Sequence, residues 1–173
     1  PGSSSSWQDH AMPPGPLDDL HPFVRRKAQR FLQLAKEREI DVLVFSGHRT
    51  PEQQAARYAL GRSVAGPLGN VSNPLGLTVT NEAPGRSLHE LGLAFDCCPL
   101  MAGMPLGFNR NTTEWHLWMA LGDIAQDPRV NLQWGFEADE DPPRLRRAWH
   151  FYYTAGFSID ELLNGARVPD FKG

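Results

Sequence analysis

The chain has 173 residues, of which 40% are hydrophobic and 21% charged, and its formal net charge at pH 7 is −3. This length is enough for one domain with its own core and no disulfide support. The slightly acidic balance gives no basis for nucleic-acid binding. No stretch approaches the roughly 20 apolar residues that span a bilayer, so the sequence predicts no membrane partner.

Composition separates a short first segment from one domain. Residues 1–16 are rich in Ser, Pro and Gly, as in a flexible linker or a cloning remnant, and they lack the pattern of a signal peptide. We therefore expect a single domain over residues 17–173. The two cysteines, Cys97 and Cys98, are adjacent. Neighbouring cysteines rarely satisfy disulfide geometry, so we predict that both are reduced and half-buried in a strand.

The first half of the domain contains clear helix and strand signals. Apolar side chains at helical spacing predict a first helix within residues 17–39. The continuous apolar run at residues 41–46 predicts a buried strand. Thr50, followed by Pro51 and Gln53, is typical of a capped helix start, because each residue type suits its position in a capping box.

The rest of the pattern predicts a loop at residues 62–76, followed by strands at 77–80 and 91–98. A helix at residues 112–125, a strand at 148–153 and a short closing helix at 158–163 complete the prediction. The third helix would be capped by Thr112 or Thr113. Helices packed on a small, mainly antiparallel sheet define an α+β fold, which is the class we predict.

One group of residues has the composition of a metal site. His89 and Asp96 are separated by six residues, and His150 follows far downstream. Two imidazoles and one carboxylate match the three protein ligands of a catalytic zinc ion, whose fourth position stays open for water. Gly92 and Ala94 are small, so the backbone between the first two residues would pass close to a metal. By spacing alone, an ordinary hydrogen-bonded core group is an equal alternative.

The sequence around this group resembles a known family. Residues 79–96 are similar to the first zinc motif of the D-alanyl-D-alanine carboxypeptidase-like metallopeptidases, Ser-x-His-x-x-Gly-x-Ala-x-Asp, with every fixed position present. The Thr-Asn-x-x-Pro-Gly lead-in at residues 80–85 most resembles the L-alanyl-D-glutamate endopeptidases of phage endolysins and bacterial wall hydrolases. Ser-Gly-His-Arg-Thr at residues 46–50 and Trp-His-Phe at residues 149–151 extend the similarity, which covers about residues 17–153.

The resemblance implies the LAS metallopeptidase fold, shared by hedgehog and D,D-peptidase domains, and it implies site roles. The implied Zn²⁺ ligands are His89, Asp96 and His150. Arg49 would stabilise the oxyanion or clamp the substrate, and Ser87 and Gln54 would contact the substrate. The alternatives are a surface salt bridge for Arg49, a loop hydroxyl bonding its own backbone for Ser87, and a solvent-facing helix position for Gln54.

One position departs from the family pattern. Relatives carry Glu or Asp as a general base three residues before the last zinc histidine, where this chain has Arg147, which cannot accept a proton. In one interpretation Arg147 binds a substrate carboxylate and the base has moved to Asp139 or Glu137, although such an acidic run is more often a solvated loop. In the other, the domain no longer catalyses and binds the wall or a protein.

These observations predict a zinc-dependent peptidase that cuts the stem peptide of peptidoglycan, most specifically at the L-Ala–D-Glu bond. A D,D-carboxypeptidase or endopeptidase is the alternative of the same class. We expect a monomer that acts in the periplasm or cell wall, after delivery by another route or release from a longer protein. An inhibitor or immunity protein is the protein partner that this function suggests.

Overall fold

The computed structural model of the chain describes residues 15–107, 114–136 and 147–169. Within these ranges the elements are α1 (Pro22–Glu37), β1 (Val42–Ser46), α2 (Pro51–Ala59), β2 (Ala94–Met101), β3 (Met104–Pro105), α3 (Trp115–Gln126), β4 (Gln133–Trp134), β5 (His150–Tyr152) and α4 (Ile159–Leu163). Across the same ranges, no helix combines the length and the apolar character needed to cross a membrane.

The strands form one small sheet in the order β1-β2-β5-β4, and β3 pairs with the far end of β2. All of these pairs are antiparallel. Strand β2 lies inside the sheet, with Asp96 opposite Ser46 of β1 on one side and opposite His150 of β5 on the other. The predicted α+β fold with a mainly antiparallel sheet is confirmed.

The short helices begin where their caps predict. The Thr50 hydroxyl accepts from the Gln53 N–H at 3.3 Å, and the Gln53 side chain accepts from the Thr50 N–H at 3.0 Å, so the predicted capping box forms at the start of α2. Ser158 and Glu161 make the same reciprocal pair before α4. Each box satisfies amide groups that have no partner inside the helix.

Two predicted strand segments are wrong. Residues 77–80 run as a loop in which Leu77 and Val79 are exposed, so their apolar character does not mark a core strand. The strand predicted from residue 91 begins at Ala94, because a turn comes first: the Gly92 N–H donates to the His89 carbonyl at 3.1 Å. Gly92 has φ of +66° and packs against the backbone of residues 19–21, just before α1, so a glycine suits this turn.

The third helix and the shortest strands also differ from expectation. Helix α3 begins at Trp115 with Glu114 as its N-cap and no side-chain cap bond, whereas the predicted caps Thr112 and Thr113 lie outside the described residues. Strands β3 and β4 were not predicted, because two residues are too few to show alternation.

Three aromatic rings join the first helix to the centre of the sheet. The Phe31 ring of α1 lies 5.8 Å from the Phe95 ring of β2 and 4.9 Å from the Phe151 ring of β5. All three side chains are fully buried. Because successive side chains of a strand point to opposite faces, burying Phe95 and Phe151 in this core turns the neighbouring Asp96 and His150 to the other face.

Both cysteines lie in β2 and are free. The prediction of half-buried side chains is wrong, since Cys97 is 0% and Cys98 5% exposed. Burial raises the pKa of both thiols, and the Asp96 carboxylate raises that of Cys97 further. Neither thiol is therefore prepared to act as a thiolate nucleophile or ligand.

Phe31→Ala tests the aromatic junction. The variant should lose about 3–5 kcal/mol of unfolding free energy, because it leaves a cavity between α1 and two central strands. Urea unfolding followed by circular dichroism measures the loss. The matched control is Phe45→Ala, since Phe45 is 47% exposed and should cost less than about 1 kcal/mol. Equal losses in the two variants would contradict this account of the core.

Candidate active site

Three side chains from separate parts of the chain converge on one point. His89 comes from the turn before β2, Asp96 from β2, and His150 from the first position of β5. Asp96 Oδ1 lies 3.2 Å from His89 Nε2 and 2.9 Å from His150 Nδ1. The two imidazole nitrogens are 3.3 Å apart. Asp96 and His150 are opposite each other in the β2–β5 pair, so the sheet fixes the relative position of two of the three donor residues.

This triangle of donor atoms fits a zinc ion. Zinc bonds of about 2.0–2.2 Å in a tetrahedral arrangement keep ligand atoms roughly 3.3–3.5 Å apart. The observed separations of 2.9–3.3 Å are close to that value. Within the described ranges, this trio is the group of histidine, cysteine and carboxylate side chains whose donor atoms could hold a metal ion.

His89 is oriented by a backbone carbonyl. Its Nδ1 lies 2.7 Å from the Gly47 carbonyl oxygen, which can only accept, so Nδ1 carries the proton and the Nε2 lone pair faces the other two donors. Burial lowers the pKa of His89, which favours the neutral imidazole that a metal requires. Gly47 has no room for a side chain, since a Cβ would overlap the carbonyl of Pro16.

Asp96 is held from both sides. Its Oδ1 faces the two histidines, and its Oδ2 accepts from Arg49 Nη2 at 2.6 Å. Burial would raise the pKa of Asp96, but the hydrogen bonds with His150 and His89 outweigh it and hold that pKa well below its usual range. Asp96 is only 3% exposed and is nevertheless an ionised carboxylate at neutral pH.

Arg49 is the centre of a buried polar chain. Its guanidinium also donates to Ser46 Oγ, at 3.0 Å from Nη2 and 3.2 Å from Nε, and Nη1 donates to Gln54 Oε1 at 3.4 Å. The surface salt-bridge alternative for Arg49 is wrong, because the residue is 8% exposed and its ionic partner is the buried Asp96. Its predicted contact with the substrate stays a prediction.

Gln54 continues this chain. The solvent-facing alternative for Gln54 is wrong, since the residue is 0% exposed. Its Nε2 donates to the Glu82 carbonyl oxygen at 2.7 Å. A series of hydrogen bonds therefore links Asp96, Arg49, Gln54 and the backbone of Glu82.

Ser87 supports the turn that carries His89. Its hydroxyl accepts from the His89 N–H at 3.3 Å, and its own N–H donates to the Glu90 carboxylate at 3.1 Å. His89 itself lies in a turn, and Ser87 comes just before that turn. The bond from the His89 N–H agrees with the alternative role of Ser87 as a loop hydroxyl that bonds the local backbone. Its contact with the substrate stays a prediction.

The trio lies in a cavity of about 1190 Å³. Aromatic side chains line part of its wall: Phe45, Trp134, Phe136, Trp149, Tyr152 and Phe157. Glu82 and Arg147 also line it, and Arg147 Nη2 donates to Glu82 Oε1 at 2.9 Å. The open volume and its mixture of aromatic and charged groups suit a peptide ligand.

The structure therefore brings most of the predicted site residues together. The cavity is lined by Arg49, Ser87, His89, Asp96, Arg147 and His150, whereas Gln54 lies behind Arg49. The suggested bases Glu137 and Asp139 lie outside the described residues. Sequence reasoning missed Glu82, although it stands inside the Thr-Asn-x-x-Pro-Gly lead-in. An acidic residue in the lead-in of a metal motif was the available signal.

Comparison with known proteins agrees with this geometry. Residues 18–156 match the D-alanyl-D-alanine carboxypeptidase (VanY) family. A relative, the peptidoglycan L-alanyl-D-glutamate endopeptidase CwlK of Bacillus subtilis (strain 168), is 32% identical over 151 residues, which is 83% of this chain and 80% of that protein. The chain belongs to this family of peptidoglycan-hydrolysing metallopeptidases.

Solved structures show the same fold. The LD-carboxypeptidase LdcB superposes with a TM-score of 0.57 at 17% identity, over 88% of this chain and 67% of that one. VanYB in complex with D-alanine-D-alanine superposes with a TM-score of 0.53 at 18% identity, over 86% of this chain and 84% of that one. The predicted LAS metallopeptidase fold is confirmed.

The predicted cofactor is confirmed as well, because the family is zinc-dependent and the trio is a group of residues able to bind a metal. The assignment of His89, Asp96 and His150 as the ligands stays a prediction that the fit of their donor atoms supports.

His150→Ala tests the ligand assignment. The variant should lower zinc affinity by more than about 100-fold, since even the loss of an outer-shell partner costs about 10–100-fold. Zinc content after dialysis, read by atomic emission, measures the effect. His48→Ala is the matched control, because His48 is exposed and does not line the cavity. Zinc retained at one ion per chain in His150→Ala would show that the site is elsewhere.

Proposed function

We propose that this enzyme hydrolyses the L-Ala–D-Glu bond in the stem peptide of peptidoglycan. The observation that carries the proposal is the 32% identity with an L-alanyl-D-glutamate endopeptidase over 80% of that protein's length. The Thr-Asn-x-x-Pro-Gly lead-in at residues 80–85, of which Thr80, Asn81 and Glu82 line the cavity, supports the same bond.

The chemistry follows from the ion that the trio would hold. His89, Asp96 and His150 are the residues that would hold the ion, as the three protein ligands of a catalytic zinc site. Bound zinc would supply Lewis acidity that polarises a peptide carbonyl and acidifies a water molecule. The role of Arg49 in this proposal is to fix Asp96, because its 2.6 Å bond holds the carboxylate oxygen that the histidines do not contact.

Substrate recognition depends on charge. A stem peptide carries carboxylates, and a guanidinium binds a carboxylate through two parallel hydrogen bonds. Arg147 lines the cavity with 45% of its side chain exposed, which supports its predicted role in binding a substrate carboxylate. Ser87 and Gln54 remain proposed substrate-binding residues. Ser87 lies in the cavity wall. Gln54 lies behind Arg49 and accepts a hydrogen bond from it, so its effect on the substrate would pass through Arg49.

The rival activity is removal of a terminal D-alanine. The description of the matching family, D-alanyl-D-alanine carboxypeptidase, favours it. The two activities differ in which bond of the stem peptide lies over the metal, and so they differ in the mass of their products.

Domain and cellular context complete the proposal. We propose one domain over residues 17–173 that acts on the wall as a monomer. An inhibitor or immunity protein remains the protein partner that this activity suggests.

Digestion of a defined disaccharide-pentapeptide tests the proposal. Zinc-loaded protein should release the disaccharide linked to L-Ala and a peptide beginning with D-Glu, and mass spectrometry identifies both products. Chelator-treated protein and the His150→Ala variant are the controls and should leave the substrate intact. A product that has lost only its terminal D-Ala would replace the proposal with the carboxypeptidase. Intact substrate with zinc-loaded protein would contradict both.

A further inference from the structure

We propose that Glu82 is the general base of this enzyme and that Arg147 holds its carboxylate across the cavity. The inference rests on the proposed peptidase function. It concerns which side chain accepts a proton from the attacking water, a role that Arg147 itself cannot fill because a guanidinium stays protonated.

Carboxylates within the cavity limit the choice. Among the described residues that line it, only Asp96 and Glu82 carry one. Asp96 is a proposed metal ligand through Oδ1, its Oδ2 accepts from Arg49, and only 5% of its side chain is exposed. Glu82 keeps 35% of its side chain exposed in the cavity, so its carboxylate can accept a further hydrogen bond from there.

The Glu82 carboxylate has a fixed position. Its Oε2 accepts from Thr80 Oγ1 at 2.6 Å, and its Oε1 accepts from Arg147 Nη2 at 2.9 Å. Its backbone carbonyl accepts from the buried Gln54 amide, which is the last member of the polar chain that begins at Asp96. The same set of buried contacts therefore positions a metal ligand and the proposed base, as catalysis requires.

The surroundings of Glu82 also keep it ionised. Burial raises the pKa of Glu82, but the hydrogen bond from Thr80 and the charge of Arg147 lower it, and the balance lies below the usual value. A carboxylate that is ionised at neutral pH can accept a proton. A cation at residue 147 is thus compatible with catalysis, because it stabilises the charged form of the acid opposite.

The proposed step balances as a hydrolysis. The water oxygen bonds to the peptide carbonyl carbon while one water proton passes to a Glu82 carboxylate oxygen. The carbon–nitrogen bond then breaks as that proton passes from Glu82 to the leaving nitrogen. The products are a carboxylic acid and an amine, and Glu82 returns to its ionised form.

Glu82→Gln tests the assignment, since it keeps the side-chain shape and removes the acceptor. We expect kcat to fall about 10²–10⁴-fold, while KM and the zinc content of one ion per chain stay at wild-type values. Glu37→Gln is the matched control: Glu37 is an exposed acid on α1, 3.9 Å from Arg30. The control should retain full activity.

Residue 147 provides an independent test. Arg147→Glu alone should lose activity, because two carboxylates would face each other where the ion pair now lies. The double variant E82Q/R147E restores a single carboxylate to that place, so it should regain part of the activity that E82Q loses. Zinc content measured in each variant shows that the trio is intact.

The outcomes separate the two proposals. A wild-type protein that cleaves the stem peptide, with an E82Q variant that cleaves equally well, would overturn the Glu82 assignment and leave the proposed function standing. A gain of activity in R147E would overturn the assignment as well, because it would mean that no base is present now. A zinc-loaded wild-type protein that cleaves no stem peptide would overturn the proposed function itself.

Discussion

The structure depends on the burial of one charge. Asp96 lies on an internal strand with 3% exposure, and a buried carboxylate is costly unless other groups compensate it. Here the compensation comes from the Arg49 guanidinium on one oxygen and two imidazoles on the other. Arg49 would be a buried cation without Asp96, so the two charges need each other. The loop that follows β1 and the start of β5 are consequently held at Asp96, and the group of side chains that could hold a metal ion forms where they meet.

The hydrophobic core and the active site are built from the same strands. Phe95 and Phe151 pack against Phe31 on one face of the sheet. Asp96, which follows Phe95, and His150, which precedes Phe151, point to the opposite face. Packing of α1 on one face therefore sets the distance between two of the proposed zinc ligands, Asp96 and His150, on the other face. This arrangement explains how a sheet with short strands can hold donor atoms with the precision that a metal requires.

Much of this was predictable from sequence, and the part that was not has a physical cause. The capping box at Thr50, the antiparallel sheet and the metal trio each produce a local or motif-level signal. Residues 62–79 produce little, because their turns have no period and their apolar side chains at Leu77 and Val79 are exposed. The contact between Gln54 and Glu82 joins residues 28 positions apart through one side chain, and no pattern in the sequence encodes it.

Arg147 departs from the family pattern, and its meaning depends on the residue that it contacts, Glu82. Seen alone, Arg147 at a position where the family resemblance implies an acid suggests a lapsed enzyme. In the folded chain, that cation meets a carboxylate across the cavity, at 2.9 Å. Arg147 adopts φ of +67°, an uncommon conformation for a residue with a side chain, and Glu82 is tied through Gln54 to Arg49. The cavity that the trio lines therefore also holds a carboxylate and a guanidinium in fixed positions.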